Sequence, residues 1–285
     1  MVLHVGVRAY SLEVYDDFKI VFLAFPEDLS KIDLMYEEIK SKVVGELGCA
    51  CFVFNFVSND FRRKVVHTGL AFGFKKVQII NWVSELYIDA IFQSKYKPKN
   101  DEVVWIFRGD ECYVWKKENN IAKYYGQSFQ DFIEQKDFEK VKRDTKLDEF
   151  PNIILCNFKF EKGFLEDYAP DAQIFSYTQI GSKSSAVFVK TQIMAGVSDV
   201  TDFDANTISD SFSLQIGNKK LFLRATNLPF AQSRRLKLKE EDKNIQIYYN
   251  NHAENIELPT CVDLLVTLEI DINGIFSFHF KRLEL

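Results

Sequence analysis

The chain has 285 residues, 47% of them hydrophobic, with 27 Phe, 12 Tyr, only 12 Gly and 6 Pro, and a net charge of -5. That length supports one large domain or two modest ones with real cores. Scarce glycine counts against enzymes that cradle phosphates in glycine loops. The negative charge without a long basic block excludes a phosphate-tracking nucleic-acid surface, and no apolar run approaches the roughly 18 residues that span a bilayer. Cys49, Cys51, Cys112, Cys156 and Cys261 are an odd set without a paired metal spacing. With no N-terminal signal pattern, they read as reduced, buried thiols of a cytoplasmic protein.

In chain order, Phe18–Ala24 predicts a strand. Phe25-Pro-Glu-Asp-Leu-Ser30 opens a helix, with Pro26 suited to its first turn and Glu27 and Asp28 to its positive end. Leu29, Ile32, Met35, Ile39 and Val43 give that helix one apolar face, and Gly45 and Gly48 close it. Cys51–Val57 is a near-continuous apolar run, as expected of a strand covered on both faces. Asn59 or Asp60 caps the next helix, Val77–Ile80 is a buried strand, Trp82–Phe92 a helix and Val103–Phe107 a strand. This alternation is the signature of an α/β sheet. A helix over Ser128–Val141, a strand over Phe150–Cys156 and a helix over Lys183–Met194 follow.

The composition then changes. Val197–Asn206 carries Asp199, Asp202 and Asp204 and reads as a linker. Beyond it, alternating runs at Phe212–Ile216, Lys220–Arg224, Arg234–Leu238 and Ile245–Tyr249 define an all-β module. It closes with Val266-Thr-Leu-Glu-Ile-Asp-Ile-Asn-Gly-Ile-Phe-Ser-Phe278, alternating through Ile272 and turning tightly at Asn273-Gly274. No internal repeat or low-complexity tract is visible.

That closing hairpin resembles the V-T-F-D-I-D-A-N-G-I-L-N-V segment of the heat shock protein 70 family, the seventy-kilodalton heat-shock chaperones. Further matches run in the family's order. Phe25-Pro-Glu-Asp-Leu-Ser30 is similar to Y-P-E-E-I-S, Asn59-Asp60 with Arg63 to N-D-x-Q-R, and Ile79-Ile80-Asn81 to I-I-N-E-P. Phe212-Ser-Leu214 and Leu221-Phe-Leu-Arg-Ala-Thr-Asn-Leu-Pro229 resemble L-S-L and L-I-x-R-N-T-x-I-P of the peptide-binding sandwich. The resemblance implies an α+β chain: partial actin-like ATPase α/β lobes over 1–198, a linker over 199–208 and a truncated antiparallel β-sandwich over 209–285.

The departures set the functional expectation. In the family, ATP is held by glycine-rich phosphate loops and acidic metal-positioning residues. The chain is expected to begin downstream of the first loop, D-L-G-T-T. The second, D-L-G-G-G-T, falls at Phe107-Arg-Gly-Asp-Glu-Cys112, leaving Arg108 for the aspartate and only Gly109 of the glycines. The base motif V-G-G-S-T-R falls at Cys156-Asn-Phe-Lys-Phe-Glu161, so Asn157 and Phe158 replace both glycines. Trp82 and Val83 stand for the glutamate and proline of I-I-N-E-P, and Asn55 for the relay proline. Without these groups phosphoryl transfer loses its charge positioning. The two degenerate motifs are also close enough in sequence to imply a missing outer subdomain.

No catalytic residue, cofactor or metal is therefore expected. His4, His67, His252 and His279 are scattered, and Gly181-Ser-Lys-Ser-Ser185 lacks a phosphate loop's upstream glycine and reads as a helix start. Arg234-Arg-Leu-Lys-Leu-Lys239 reads as a strand with one wet face. By the resemblance, Ile216, Leu236 and Ile245 fall at apolar positions lining the family's peptide groove, though they equally suit a core. The expected role is a protein-binding pseudo-chaperone or co-chaperone that takes an unfolded peptide or protein partner, without nucleic acid or membrane. A structural subunit of a complex or oligomer, and a weak ATPase that still binds ATP, stand as alternatives.

Overall fold

A computed structural model describes residues 2–8, 11–14, 19–21, 29–129, 135–157, 164–178, 185–208, 211–217, 219–239, 242–249, 252–258 and 263–283. The proposed helix start at Pro26, most of Gly181–Ser185, Phe158 and Cys261 lie outside the described residues.

The first unit contains β1 (Val2–Arg8), β2 (Ser11–Val14), β3 (Lys19–Val21), α1 (Ile32–Lys42), β4 (Glu46–Val53), α2 (Asn59–Ala71), β5 (Lys76–Ile80) and α3 (Trp82–Ser94). Its sheet runs β3-β2-β1-β4-β5, with β1, β2 and β3 antiparallel and β1, β4 and β5 parallel. The second unit contains β6 (Val103–Arg108), β7 (Glu111–Glu118), β8 (Ile121–Phe129), α4 (Gln135–Thr145), β9 (Ile153–Cys156), α5 (Phe164–Tyr168), β10 (Gln173–Ser176) and α6 (Ala186–Ala195). Its sheet runs β10-β9-β6-β7-β8 with the same pattern of directions. The two units therefore share one topology although the sequence carries no repeat.

Strand alternation explains the layers. Cys51 and Val53 of β4, and Val104 and Ile106 of β6, face a central core filled by α3 and α6. Ala50, Phe52 and Phe54 face the opposite way onto α1 and α2, while Val103, Trp105 and Phe107 face α4 and α5. Helix α3 lies between the two sheets, which is why Val83 through Ile91 are buried all round the helix. Gly69 on α2 sits against Tyr36, whose hydroxyl would collide with an added Cβ. Tyr36 donates from that hydroxyl to the Val65 carbonyl at 2.7 Å, and burial pushes its phenol pKa up.

Three expectations are corrected, and one strand is unanticipated: Val2–Arg8 is the central strand of the first sheet. Ser58, not Asn59 or Asp60, caps α2, its hydroxyl accepting from the Phe61 N–H at 3.2 Å. Ser128 belongs to β8 rather than a helix, and α4 begins at Gln135. The closing hairpin turns through a longer loop than two residues: β16 (Asp263–Ile270) ends before Asp271 and β17 resumes at Phe276. The Asp271 carboxylate accepts from the Asn273 and Ile275 N–H groups at 2.8 and 2.9 Å and so organises that loop.

The remaining strands are β11 (Ser211–Ile216), β12 (Lys219–Arg224), β13 (Phe230–Lys237), β14 (Asn244–Tyr249), β15 (His252–Glu257), then β16 and β17 (Phe276–Arg282). They form two antiparallel sheets, β12-β11-β14-β15 and β13-β16-β17. Phe212, Leu214, Ile245 and Ile247 from the first sheet, and Leu264, Val266, Leu268 and Ile270 from the second, make one shared core.

Arg235 of β13 holds Asp263 of β16 by two bonds, one from Nε at 2.8 Å, and this guanidinium keeps the carboxyl below its ordinary range. A lowered folded pKa means stabilisation present above the unfolded value of about 3.9 and lost as pH falls through the folded one. Asp263→Asn is therefore expected to be less stable than the parent at neutral pH, with the gap closing under acid. Urea midpoints measured across that pH range check it.

Candidate functional site

The first candidate is the end of the packed seam between the two α/β units, where β1 and β6 finish. Arg8 and Arg108 are the last residues of β1 and β6, the equivalent strands of the two sheets. Arg8 bonds Glu85 of α3, a carboxylate from a residue only 3% exposed. Arg108 lies 5.6 Å over the Trp82 ring, and Trp82 packs edge-on to Tyr113 of β7 at 5.2 Å. Arg108 and Trp82 thus meet in a cation–π contact.

The turn between β6 and β7 is short: Arg108 pairs with Glu111, and Gly109 has φ 61. The Gly109 N–H donates to the Asn157 side-chain carbonyl at 3.2 Å. Arg108, Gly109 and Asn157 are therefore brought together, but the one glycine N–H that could meet a phosphate has a side-chain acceptor. Asp89, 1% exposed, accepts from the Ser185 N–H and hydroxyl at 3.1 Å each and from Gln93 at 3.0 Å. Burial pushes its carboxyl pKa up, against those hydrogen bonds and the charge of Arg8. Among the described residues, no group of three or more His, Cys, Asp or Glu is placed to hold a metal ion. The described cysteines Cys49, Cys51, Cys112 and Cys156 are buried and free, with burial raising each thiol pKa. No helix of the described residues is long and apolar enough to cross a membrane.

The second feature is the seat of the β module on the first unit. Asn59 of α2 donates to the Phe276 carbonyl and accepts from the Phe276 N–H, both at 3.0 Å. Arg62 donates to the Asn273 carbonyl at 3.0 Å and Arg63 to the Phe276 carbonyl at 3.1 Å. The Asn273 side chain accepts from the Ile79 N–H at 3.0 Å. Gly274, at φ 71, leaves room for Arg62, which would stand 2.9 Å from an added Cβ. A wide open cleft of about 500 Å³ lies beside this seam, walled by Arg63, Phe230, Glu269 and Ile275.

The acidic stretch read as a linker is packed along the same face. It forms a short 3-10 helix, Ser198–Phe203, and then an extended run in which Ala205, Thr207 and Ile208 are buried. Buried Lys117 donates to the Asp202 carboxylate at 3.0 Å and carbonyl at 3.1 Å. Buried Lys190 of α6 bonds Asp204 and donates to Asn206 at 2.6 Å. Thr207 donates from its hydroxyl to Asn81 at 2.8 Å and from its N–H to Ser84 at 2.9 Å. Asn81 itself caps α3 through the Ser84 N–H.

The third feature is a cavity of about 190 Å³ at one edge of the β module, walled by Leu214, Ile216, Leu221, Leu236 and Leu238 with Arg235, Lys237 and Asp242. Ile216 and Leu236 thus meet at one cavity, whereas Ile245 is fully buried in the shared core.

No protein-family model matches the chain, and no curated protein matches it. Among solved structures, YeaZ from Pseudomonas aeruginosa is similar at 9% identity, covering 68% of this chain and 94% of that one with a TM-score of 0.32. The Ppx/GppA phosphatase of Aquifex aeolicus is similar at 12% identity, covering 54% of this chain and 66% of that one with a TM-score of 0.26.

Proposed function

We propose that the chain is an actin-like scaffold of the heat shock protein 70 kind whose nucleotide cleft is closed by its own side chains and whose β module binds an extended protein segment. The observation that carries this reading is the aliphatic cavity at the module's edge. A cavity of about 150 Å³ with aliphatic walls suits a guest the size of one side-chain ring, and the one here, about 190 Å³, suits a leucine or isoleucine. Backbone groups of the neighbouring edge strands would hold the rest of the segment. The duplicated sheet order supports the actin-like assignment, and the Arg108–Trp82 contact supports loss of nucleotide.

The test is fluorescence anisotropy with a short labelled peptide that has a central leucine and neutral flanks. Saturable binding is expected, weakened at least about tenfold by Ile216→Glu, which replaces an aliphatic wall of the cavity with a carboxylate. Calorimetric titration with magnesium-ATP is expected to give no heat up to millimolar nucleotide. Peptide binding unaffected by Ile216→Glu, or micromolar ATP affinity, refutes the corresponding half of the proposal.

A further inference from the structure

From Lys219 to Lys239 the chain carries seven Lys and Arg residues and no Asp or Glu, a local reversal of its net charge of -5. The run contains β12 and β13, which are the outermost strands of the two different sheets. Both wall the cavity: Leu221 comes from β12, and Arg235, Leu236 and Lys237 from β13. An outermost strand has unpaired backbone groups along its free side. Among the described residues, an aliphatic hole is therefore framed by the outermost strand of each sheet and by Arg235 and Lys237.

Not all of that charge is spent internally. Arg235 is occupied by Asp263, and Lys220 lies 5.1 Å over the Phe222 ring and 5.7 Å over the Tyr248 ring. Arg234 and Lys237 are exposed; Lys237 lies opposite Asp263 in the β13–β16 register, where its charge, after that of Arg235, helps to lower the Asp263 carboxyl, while Arg234 pairs opposite Val266. Among the described residues the acid on the cavity wall is Asp242, which already accepts from the Lys239 N–H at 2.8 Å; Glu240 and Glu241 precede it in sequence.

We infer that this edge selects an extended acidic protein segment, in which an aliphatic side chain fills the cavity and flanking Asp or Glu residues face Arg234 and Lys237. The inference rests on the reading of the cavity as a peptide site and adds the chemistry of the partner. Nucleic acid fits less well, because the pocket's apolar walls are Leu and Ile, with no ring on which a base could stack. Exposed pairs contribute little singly and are screened by salt, so selectivity comes from several charges together and is strongest at low ionic strength.

The experiment compares three labelled peptides on the full chain: a central leucine with acidic, neutral or basic flanks. The acidic peptide is expected to bind on the order of tenfold more tightly than the basic one at low salt, with the gap closing toward roughly 0.5 M salt. Arg234→Glu combined with Lys237→Glu is expected to invert the order, and Ile216→Glu to weaken all three, with circular dichroism confirming folded variants. Equal affinities, or a preference for basic flanks, overturn the acidic selectivity and leave the peptide site standing. Failure of all three to bind overturns the peptide site and the selectivity with it. A labelled oligothymidylate that binds more tightly than the acidic peptide, and does so equally with Ile216→Glu, identifies the edge as a nucleic-acid surface and overturns the inference.

Discussion

Asp204→Ala is expected to cost about 3 kcal/mol of stability, the lower end for removing one partner of a buried ion pair. Lys190 is the buried partner, its side chain 1% exposed on α6, while Asp204 is 27% exposed, which places the cost toward that lower end. Without Asp204, the ammonium group keeps the Asn206 carbonyl oxygen at 2.6 Å, an acceptor already shared with Gln78 at 2.7 Å. One neutral acceptor does not offset the desolvation of a buried cation. Lys190→Met in the Asp204→Ala background removes the stranded charge and should restore most of the loss, because an apolar replacement of both partners is often near neutral. Urea unfolding of the two single variants and the double variant measures this directly. A loss below about 1 kcal/mol in Asp204→Ala would mean that the pair does not fasten this segment. The same variant should expose the peptide bonds between Val200 and Thr207 to limited proteolysis, since Asp204 anchors the run that leads to the β module.

Much of the α/β layering was legible because burial on both faces leaves an unambiguous trace. Val103–Phe107 reads as a strand because neither face of its sheet meets water, whereas Cys51–Val57 catches only the last three residues of β4 (Glu46–Val53), and Asn55 and Phe56 beyond it are exposed. Helix α3 read well for the same reason. The hairpin of β7 and β8 was not seen, because Lys116, Lys117 and Glu118 break the apolar alternation. Lys117 points inward to Asp202, a partner far away in sequence, and nothing local announces that a lysine is buried. The signal that could have found the hairpin is Asn119-Asn120, both with positive φ, the dipeptide chemistry of a tight turn. Strand β1 was missed although Leu3, Val5 and Val7 alternate, and with it Arg8, the counterpart of Arg108 in the other sheet. Arg108 and Trp82 were each legible as departures from the pattern that the sequence resemblance implies. Their contact was not, because it depends on how the two sheets face one another. The β module's strands were largely legible, but β15, an edge strand with alternate residues exposed and polar, was not. Of the three proposed groove residues, burial alone separates Ile245 from Ile216 and Leu236, and hydrophobicity cannot distinguish a core wall from a cavity wall.

The seat of the hairpin on α2 gives the second large effect. Asn59→Ala strands the Phe276 N–H and removes one of two donors to its carbonyl, for an expected loss of about 2 kcal/mol. Asn273→Ala strands the Ile79 N–H at the buried end of β5, for a similar loss of about 2 kcal/mol. Gly274→Ala attacks the same contact by shape: its φ of 71 disfavours a side chain, and the new Cβ would meet Arg62 at 2.9 Å. None of these three changes touches the cavity walled by Ile216 and Leu236, so neutral-peptide affinity serves as an internal control on the module's own fold. The Asn59→Ala, Asn273→Ala double variant distinguishes two kinds of molecule. If the β module and the first unit unfold as one cooperative body, denaturation stays a single transition and the midpoint falls with a combined loss of up to about 4 kcal/mol, reduced by coupling between two contacts that share one loop. If the module is stable by itself and merely held by the hairpin, calorimetry splits into two transitions and the scattering radius rises before either unit melts. The single transition is the expected result. Ser84, Asn81, Lys190 and Lys117 fasten the connecting segment to the α/β units independently of the hairpin, so loosening the seat alone should weaken the assembly without releasing the module.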